Sequence, residues 1–239
     1  MDADTNLSVV TITLSPSVDY SMEVDELIPD EKLRTELTKT EPGGGGIQVA
    51  RALKTFGTSV EAIMTVGGST GRALMALLEK EGLNIRPVLV QSETRPVNTL
   101  QVRDSGQNDR LVSRQQPLDE YEYAPVLTRL QEISKLPPYV VLSGSFPPGV
   151  PPEFVHDVAE VVAARGSRLL VDTSAAALKE AVNAKIAVLK PSEVELAALV
   201  GMDPEDPAYD VPAAARDIVS RGVGAVLVSL GPDGAYVVG

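Results

Sequence analysis

The apolar positions of this chain fall into two alternating kinds of segment. Short continuous runs rich in β-branched residues, typical of buried strands, lie at residues 8–14, 60–66, 139–142, 168–171, 186–189, 225–229 and 235–238. Longer segments with apolar residues at helical spacing lie at residues 71–81, 152–165, 175–182, 193–200 and 211–221. Because short buried strands alternate with helices, the sequence predicts an α/β fold with a mostly parallel central sheet covered on both faces.

Two polar segments, at about residues 19–40 and 95–116, interrupt this alternation. The first contains short alternating pieces, and the second has alternating runs on either side of the turn-forming residues 104–109. Each segment therefore predicts an exposed hairpin. We expect the two hairpins to pair in a small β-sheet outside the core, which would act as a lid. Their exposed edges favour a homodimer formed through this lid.

A run of glycines at residues 43–46 leads directly into a predicted helix that Gly57 ends. One side of this helix collects the apolar residues Ile47, Val49, Ala50, Leu53 and Phe56. Glycines allow a ligand to approach the backbone closely, and the first turn of a helix offers unpaired N–H groups at its positive end. The run therefore predicts a site for a phosphate or a sugar hydroxyl. The structural alternative is a flexible loop before an ordinary helix.

Composition narrows the classes of function. With 239 residues and 44% hydrophobic content, the chain can form one large α/β core, which favours a single domain over residues 1–239. The formal net charge of −12 argues against a nucleic-acid partner or an anionic membrane surface, since both would repel it. The absence of cysteine excludes thiolate metal sites and thiol catalysis. With no signal sequence or long apolar span, we expect a cytoplasmic protein.

Residues with unusual chemistry collect where the predicted strands end, at residues 15–19, 143–145, 172, 190–195 and 229–234. Ligands of open parallel sheets bind beyond the carboxyl ends of the strands, so these segments predict the site. The glycine run fits neither of two common nucleotide motifs. A dinucleotide fingerprint would need a glycine where Gln48 or Val49 stands, and the Gly-Lys-Ser/Thr of a Walker A motif does not follow. Hydride transfer therefore has little support.

Several motifs occur in order along almost the whole chain. They are Ser15-Pro16-Ser17-Val18-Asp19, Lys32-Leu33-Arg34, residues 42–52, residues 143–150, Lys190-Pro191-Ser192-x-x-Glu195-Leu196 and Ser229-Leu230-Gly231-Pro232-Asp233-Gly234. In this combination they resemble the PfkB, or ribokinase-like, carbohydrate kinase family, and within it the hexose-phosphate kinases. The resemblance implies a ribokinase-like three-layer sandwich with a mostly parallel central sheet and a small β-sheet lid.

The resemblance also implies a sugar site. Asp19 would accept hydrogen bonds from sugar hydroxyls, and Ser143 would contact the substrate, although both residue types are also common in turns. Gly44 and Gly45 would present backbone amides. Gln48 would offer a side-chain amide on a longer stem than the asparagine that the family usually carries, so the discrimination between hydroxyls would differ. Cations for the substrate phosphate would come from the lid: Lys32, Arg95 and, as a further candidate, Arg103.

On the nucleotide side, the resemblance implies a site for ATP and Mg²⁺ at Lys190, Ser192, Glu195, Ser229, Gly231 and Gly234. Glu195 would act on Mg²⁺ and the phosphates through water, which suits an ion that retains several waters. Ser192 stands where the family has asparagine, and this departure would weaken binding of the nucleotide or the metal. Two structural alternatives stay open: an acid at a helix start for Glu195, and a plain β-turn for the glycines.

The family's Gly-Ala-Gly-Asp segment, which supplies an anion hole and the catalytic base, has no match in this chain. The resemblance places that base beyond Gly239, so the sequence offers no catalytic residue of its own. We therefore expect an incomplete C-terminus and impaired turnover by residues 1–239.

These observations lead to three hypotheses. The first is an ATP-dependent phosphosugar kinase that transfers the γ-phosphoryl of Mg-ATP to a hexose phosphate, above all fructose 6-phosphate. The second is a non-catalytic protein that binds a sugar phosphate or a nucleotide, which the departures at Gln48 and Ser192 favour. The third is a kinase for tagatose 6-phosphate or fructose 1-phosphate.

Overall fold

The computed structural model describes residues 7–239, which form two β-sheets with helices around the larger one. The strands of the larger sheet are β1 (Val9–Thr13), β4 (Val60–Val66), β5 (Asn84–Leu89), β8 (Tyr139–Ser143), β9 (Arg168–Asp172), β10 (Val188–Leu189), β11 (Ala225–Ser229) and β12 (Ala235–Val238). Their order is β12-β11-β10-β9-β8-β1-β4-β5. Every neighbouring pair is parallel except β11 and β12, which are antiparallel. The mostly parallel central sheet is therefore confirmed.

The helices of the described residues cover both faces of this sheet. They are α1 (Gly45–Thr55), α2 (Gly68–Lys80), α3 (Glu120–Tyr123), α4 (Pro125–Gln131), α5 (Phe154–Ala164), α6 (Ala175–Asn183), α7 (Glu193–Val200) and α8 (Val211–Ser220). Alternate residues of β4 show how the sheet separates two cores. Ile63 belongs to the cluster that contains α4, α5, α6 and α8, whereas Ala62 and Met64 pack with α1 and α2. This arrangement gives three layers.

The lid is a separate four-stranded sheet. It contains β2 (Ser17–Val24), β3 (Glu36–Gly43), β6 (Arg95–Val102) and β7 (Asn108–Val112), in the order β3-β2-β6-β7. The two predicted hairpins meet through the parallel pair β2 and β6. β2 begins only a few residues after β1 ends, and β3 ends at the glycine run. The lid is thus joined directly to the carboxyl end of the central sheet.

The structure corrects several details of the sequence-based assignment. The second helix begins at Gly68 rather than at residue 71, and the strand expected at 186–189 is reduced to Val188–Leu189. Phe56, which was assigned to the apolar side of α1, is 83% exposed because the helix ends there and the chain turns at Gly57. The edge strand β5 and the short helices α3 and α4 were not predicted.

Glu93, which lies just before lid strand β6, forms hydrogen bonds with the N-terminus of α2. Its carboxylate accepts hydrogen bonds from the Thr70 backbone N–H at 2.6 Å and from the Ser69 hydroxyl at 2.9 Å. The hydrogen bond from the Thr70 N–H is the main reason why the pKa of Glu93 lies below its usual value. This carboxylate therefore stabilises the fold above the usual glutamate pKa, and its contribution is lost as the pH falls through the lowered pKa.

We expect Glu93→Gln to reduce the pH dependence of the thermal midpoint at acidic pH, from the usual glutamate pKa down through the lowered pKa of Glu93. The variant should lose stability at neutral pH and approach the parent protein at the acidic end. Thermal unfolding followed by circular dichroism at a series of pH values measures this. Glu79→Gln, on the exposed side of the same helix, is the matched control. Parallel pH profiles of Glu93→Gln and the parent protein would contradict the assignment.

Candidate functional site

The site lies where the lid meets the carboxyl ends of the central strands, and Asp19 is at its centre. Asp19 is on β2, paired with Glu41 of β3 and Val97 of β6. The Ser17 hydroxyl donates a hydrogen bond to Asp19 Oδ1 at 2.6 Å, and Arg110 Nη2 lies 3.6 Å from Asp19 Oδ2. One oxygen is thus oriented by a neighbour while the other lies near a cation at more than hydrogen-bond distance. This carboxylate can still accept a hydrogen bond from a ligand.

The glycine run is packed against the site residues. A Cβ atom at Gly43 would collide with the side chains of Ser17 and Asp19, and one at Gly45 would collide with the Ser143 hydroxyl. Gly44 has a φ of 115°, which favours glycine, and it precedes the first residue of α1. The structure therefore brings Asp19, the glycine turn and Ser143 together, as the sequence predicted.

Arg95 and Arg110 give this part of the lid a concentrated positive charge. Arg95 opens β6 and pairs in register with Ser17, and its Nε is buried without a hydrogen-bond partner among the described residues. Burial lowers the pKa of Arg95, repulsion by Arg110 acts in the same direction, and Asp19 opposes both. A partly buried guanidinium whose buried Nε has no partner among the described residues favours an anionic ligand. Arg110 was not assigned from the sequence, although it lies in the polar segment predicted as the second hairpin.

Two of the predicted phosphate cations lie elsewhere. Arg103 follows the outer end of β6, where its guanidinium is 2.9 Å from each of three carboxylates, those of Glu23, Asp25 and Glu36. Hydrogen bonds to these acids, that of Glu23 first, raise the pKa of Arg103. Lys32 is exposed in the loop between β2 and β3. The structure brings neither residue to Asp19, because both belong to the distal part of the lid.

Gln48 also departs from the expected role. It is exposed, and its Nε2 donates to the Pro42 carbonyl at 2.8 Å. Its Oε1 accepts a hydrogen bond from Arg51 Nη1 at 2.9 Å, and Arg51 in turn contacts Glu81 at 2.8 Å. Both polar atoms of the Gln48 amide therefore have protein partners, Pro42 and Arg51. The structure does not show them free to bind a sugar.

A single carboxylate contacts both a residue predicted to bind the sugar and a residue predicted to bind the nucleotide. Asp172 ends β9 and pairs in register with Ser143 at the end of β8. Its Oδ2 accepts a hydrogen bond from the Ser143 hydroxyl at 3.1 Å, and its Oδ1 lies 3.1 Å from Lys190 Nζ. Sequence analysis singled out Asp172 as a strand-end residue without assigning it a role. The pairing of β8 with β9 places Asp172 beside Ser143, and this pairing is what would have indicated its role.

The predicted nucleotide residues gather on the far side of Asp172. Ser192 forms a parallel bridge with Ser229. The turn between β11 and β12 contains Gly231 and Gly234, with φ angles of 58° and 96° and open space where a Cβ would stand. Positive φ favours glycine at both positions, so the β-turn alternative explains their identity as well as a ligand does. The open space above the turn leaves room for a ligand.

Glu195 and Ser192 form a capping box at the start of α7. The Ser192 backbone N–H and hydroxyl donate to Glu195 Oε2 at 2.8 and 2.9 Å, and Ser192 Oγ accepts from the Glu195 N–H at 3.3 Å. The structural alternative for Glu195, an acid at a helix start, is therefore what the structure displays. These bonds use Oε2, which leaves Oε1 to interact with water or a ligand.

A family model described as pfkB family carbohydrate kinase matches residues 4–239 of the chain. The chain belongs to this family. The resemblance drawn from its motifs is thereby confirmed, and a pfkB enzyme is a carbohydrate kinase, that is, a phosphotransferase with an alcohol acceptor.

Curated pfkB relatives include two enzymes named ATP-dependent 6-phosphofructokinase isozyme 2. The one from Escherichia coli K12 is 38% identical over 229 residues, which cover 95% of this chain and 74% of the relative. The one from Mycobacterium tuberculosis is 34% identical over 230 residues, or 96% and 67% of the two chains. A tagatose-6-phosphate kinase from Staphylococcus epidermidis is 27% identical, covering 95% and 74%.

Solved pfkB structures are similar over the same length. Phosphofructokinase-2 from Escherichia coli in complex with fructose-6-phosphate superposes with a TM-score of 0.90 at 38% identity, covering 97% of this chain and 77% of that one. The ribokinase-like fold is confirmed. A structure described as the tetrameric inhibited form of the same enzyme has a TM-score of 0.89, with 97% and 76% coverage. The predicted homodimer is therefore not confirmed by these neighbours.

No helix between residues 7 and 239 combines the length and the apolar character needed to cross a bilayer. A cytoplasmic location stays a prediction of the sequence.

Proposed function

We propose that this chain is an ATP-dependent phosphosugar kinase whose acceptor is a hexose phosphate, foremost fructose 6-phosphate. The observation that carries the proposal is the group formed by Asp19, Arg95 and Arg110 at the root of the lid. A carboxylate suits the hydroxyls of a sugar, and two guanidiniums suit its phosphate. A ligand that satisfies both must carry hydroxyls and a phosphate on one small molecule. The Escherichia coli neighbour solved with fructose-6-phosphate supports this choice.

The sugar phosphate would lie between the lid root and the glycine turn. Asp19 would accept from sugar hydroxyls, while the guanidinium of Arg110 and the Nε of Arg95, which has no partner within residues 7–239, would bind the phosphate. Gly44 and Gly45 place the first N–H groups of α1 beside the same space. These groups fix the orientation of the acceptor, which is the main requirement for phosphoryl transfer.

ATP would lie across Asp172 from the sugar, with its phosphates near Lys190 and its remainder beside the turn that follows Ser229. Residues 7–239 contain no group of three or more His, Cys, Asp or Glu side chains able to hold a metal ion. Mg²⁺ needs only one or two carboxylates together with phosphates and waters, and Oε1 of Glu195 fits that demand. When bound, Mg²⁺ would neutralise charge on the transferring phosphoryl group. We assign the general base to none of the described residues.

Two other hypotheses about the function are each supported by an observation. A non-catalytic protein that binds a sugar phosphate or a nucleotide is favoured by Gln48, whose amide donates to the Pro42 carbonyl, and by Ser192, whose side chain caps α7. A kinase for tagatose 6-phosphate is favoured by the similarity to the Staphylococcus epidermidis enzyme, and fructose 1-phosphate is the other alternative acceptor. Both hypotheses use the same residues, so they differ from the main proposal in turnover or in sugar preference.

An ADP-release assay with Mg-ATP separates these functions. The acceptors are fructose 6-phosphate, tagatose 6-phosphate, fructose 1-phosphate and unphosphorylated fructose. Because none of the described residues is assigned as the general base, we expect slow ADP release that depends on a phosphorylated sugar, with the highest kcat/KM for fructose 6-phosphate. Calorimetric binding of the sugar phosphate without ADP release would support the binder. A higher kcat/KM for another sugar would reassign the substrate, and failure to bind any of the sugars would overturn the proposal.

We also propose a homodimer formed through the lid. Leu37 of β3 and Leu111 of β7 are each 58% exposed, and they lie on the two edge strands of the lid sheet. Exposed apolar side chains on unpaired edge strands favour contact with another protein surface, and a second copy of this chain is always present.

Leu111→Lys is expected to shift the protein toward the monomer, because a desolvated ammonium in an apolar interface is costly. Light scattering over a range of protein concentrations measures the change. Phe56→Lys introduces the same charge at an exposed apolar position directly after α1, outside the lid, and should leave the oligomeric state unchanged. A parent protein that stays monomeric at high concentration would contradict the lid dimer.

A further inference from the structure

We infer that Asp172 couples the binding of the sugar phosphate to the binding of the nucleotide, an inference that rests on the proposed function. Asp172 is a positioning residue in this account, since it acts through Ser143 and Lys190. Its two carboxylate oxygens each contact a different subsite: Oδ2 accepts from the Ser143 hydroxyl and Oδ1 lies beside the Lys190 ammonium, both at 3.1 Å.

The backbone holds this arrangement in register. The Gly144 N–H donates to the Asp172 carbonyl at 2.8 Å, and the Thr173 hydroxyl donates to the Gly144 carbonyl at 2.9 Å. Thr173 and Ser143 are both buried. These hydrogen bonds hold the segment that contains Ser143 against the segment that contains Asp172. A change at the Asp172 carboxylate can therefore act directly on the serine hydroxyl.

The bond to Asp172 decides what Ser143 can offer a ligand. A serine hydroxyl has one proton, and Ser143 gives it to Asp172 Oδ2. Its oxygen faces the glycine turn at Gly45, where it can act only as an acceptor for a sugar hydroxyl. Asp172 thus sets the polarity of a sugar contact without touching the sugar.

The nucleotide acts on the other oxygen. Lys190 and Asp172 are both partly exposed, so an incoming phosphate would compete with Asp172 for the ammonium. When Lys190 turns toward the phosphate, the carboxylate becomes less neutralised and holds the Ser143 proton more strongly. The serine is then fixed as an acceptor, and the sugar phosphate binds more tightly. By linkage, the sugar phosphate strengthens nucleotide binding by the same factor.

The test is a calorimetric measurement of fructose 6-phosphate affinity for the full chain, without and with a saturating non-hydrolysable ATP analogue and Mg²⁺. We expect the analogue to raise the affinity at least about 5-fold in the parent protein. In Asp172→Asn the factor should fall to about 1, while each ligand still binds alone. Asp217→Asn removes an ion pair with Arg221 on the surface of α8 and should keep the parent factor. Circular dichroism checks that each variant is folded.

Lys190→Met removes the other partner of the pair and is the second variant. It should also abolish the coupling factor, so the inference can be tested even if Asp172→Asn does not fold. If loss of the hydrogen bond between Asp172 and Ser143 only destabilised the loop, the variant would have a lower thermal midpoint but the same coupling factor as the parent protein. The inference is overturned if both ligands bind the parent protein with no coupling, or if either variant couples as the parent does. A parent protein that binds neither ligand would instead refute the proposed function.

Discussion

Asp19→Asn is expected to weaken fructose 6-phosphate binding about 100-fold, equivalent to about 2.7 kcal/mol, with little change in nucleotide binding. The substitution keeps the shape of the side chain but replaces a charged acceptor with a neutral amide. Hydrogen bonds to an ionised group are stronger than neutral ones, and the amide can present a donor where the sugar also has a donor. Calorimetric titration of the variant with the sugar phosphate, and separately with the ATP analogue, measures both effects.

Asp109→Asn is the matched control for this prediction. It removes one negative charge from β7, next to Arg110 in sequence, but its carboxylate accepts from Gln107 on the exposed lid and not from the site. Its affinity for the sugar phosphate should stay within about twofold of the parent value. Equal losses in the two variants would show that lid charge in general, rather than the Asp19 carboxylate, determines the affinity.

Arg95→Met is expected to reduce the affinity for fructose 6-phosphate about 30-fold to 100-fold while leaving the weak binding of unphosphorylated fructose unchanged. Methionine retains much of the apolar stem but removes the guanidinium, whose buried Nε has no partner among residues 7–239. Because burial of a poorly compensated charge is unfavourable, the same substitution should raise the thermal midpoint of the ligand-free protein. Affinity and stability should therefore change in opposite directions.

Arg103→Met provides the comparison, since it removes the same group from the other end of β6. Arg103 is surrounded by the carboxylates of Glu23, Asp25 and Glu36, so its loss should lower stability and leave sugar-phosphate affinity unchanged. If Arg103→Met weakened phosphate binding as much as Arg95→Met does, the distal lid would carry the phosphate and the assignment of Arg95 would be wrong.

The elements that could be predicted most closely have strong local determinants. β4 is a short run rich in apolar residues and is observed over Val60–Val66 as predicted. α7 begins after the Ser192 capping box and ends before Gly201, whose φ is 74°. Both features are recognisable in the sequence, so both ends of this helix could be predicted. β5 was missed because Asn84–Leu89 combines polar residues with a proline and lies at the sheet edge, where burial imposes little pattern.

The candidate site could be predicted as far as strand ends and glycines define it, and the segments that contain Asp19 and Ser143 were singled out in this way. The roles of these two residues stay predictions. The remainder depends on partners that are distant in sequence. Arg110 reaches Asp19 only through the pairing of β6 with β7, in which it is opposite Thr99. The positions of Gln48 and Arg103 depend on which acceptors surround them in the fold, and no local pattern carries that information.

The most direct test of the central claim, that the lid root of this pfkB kinase binds a hexose phosphate, is a calorimetric titration of the folded chain with fructose 6-phosphate and, in parallel, with fructose. The account predicts saturable binding of the phosphorylated sugar and at least about 30-fold weaker binding of fructose, because Arg95 and Arg110 need an anion. Equal affinities for the two sugars, or no saturable binding of fructose 6-phosphate, would contradict it.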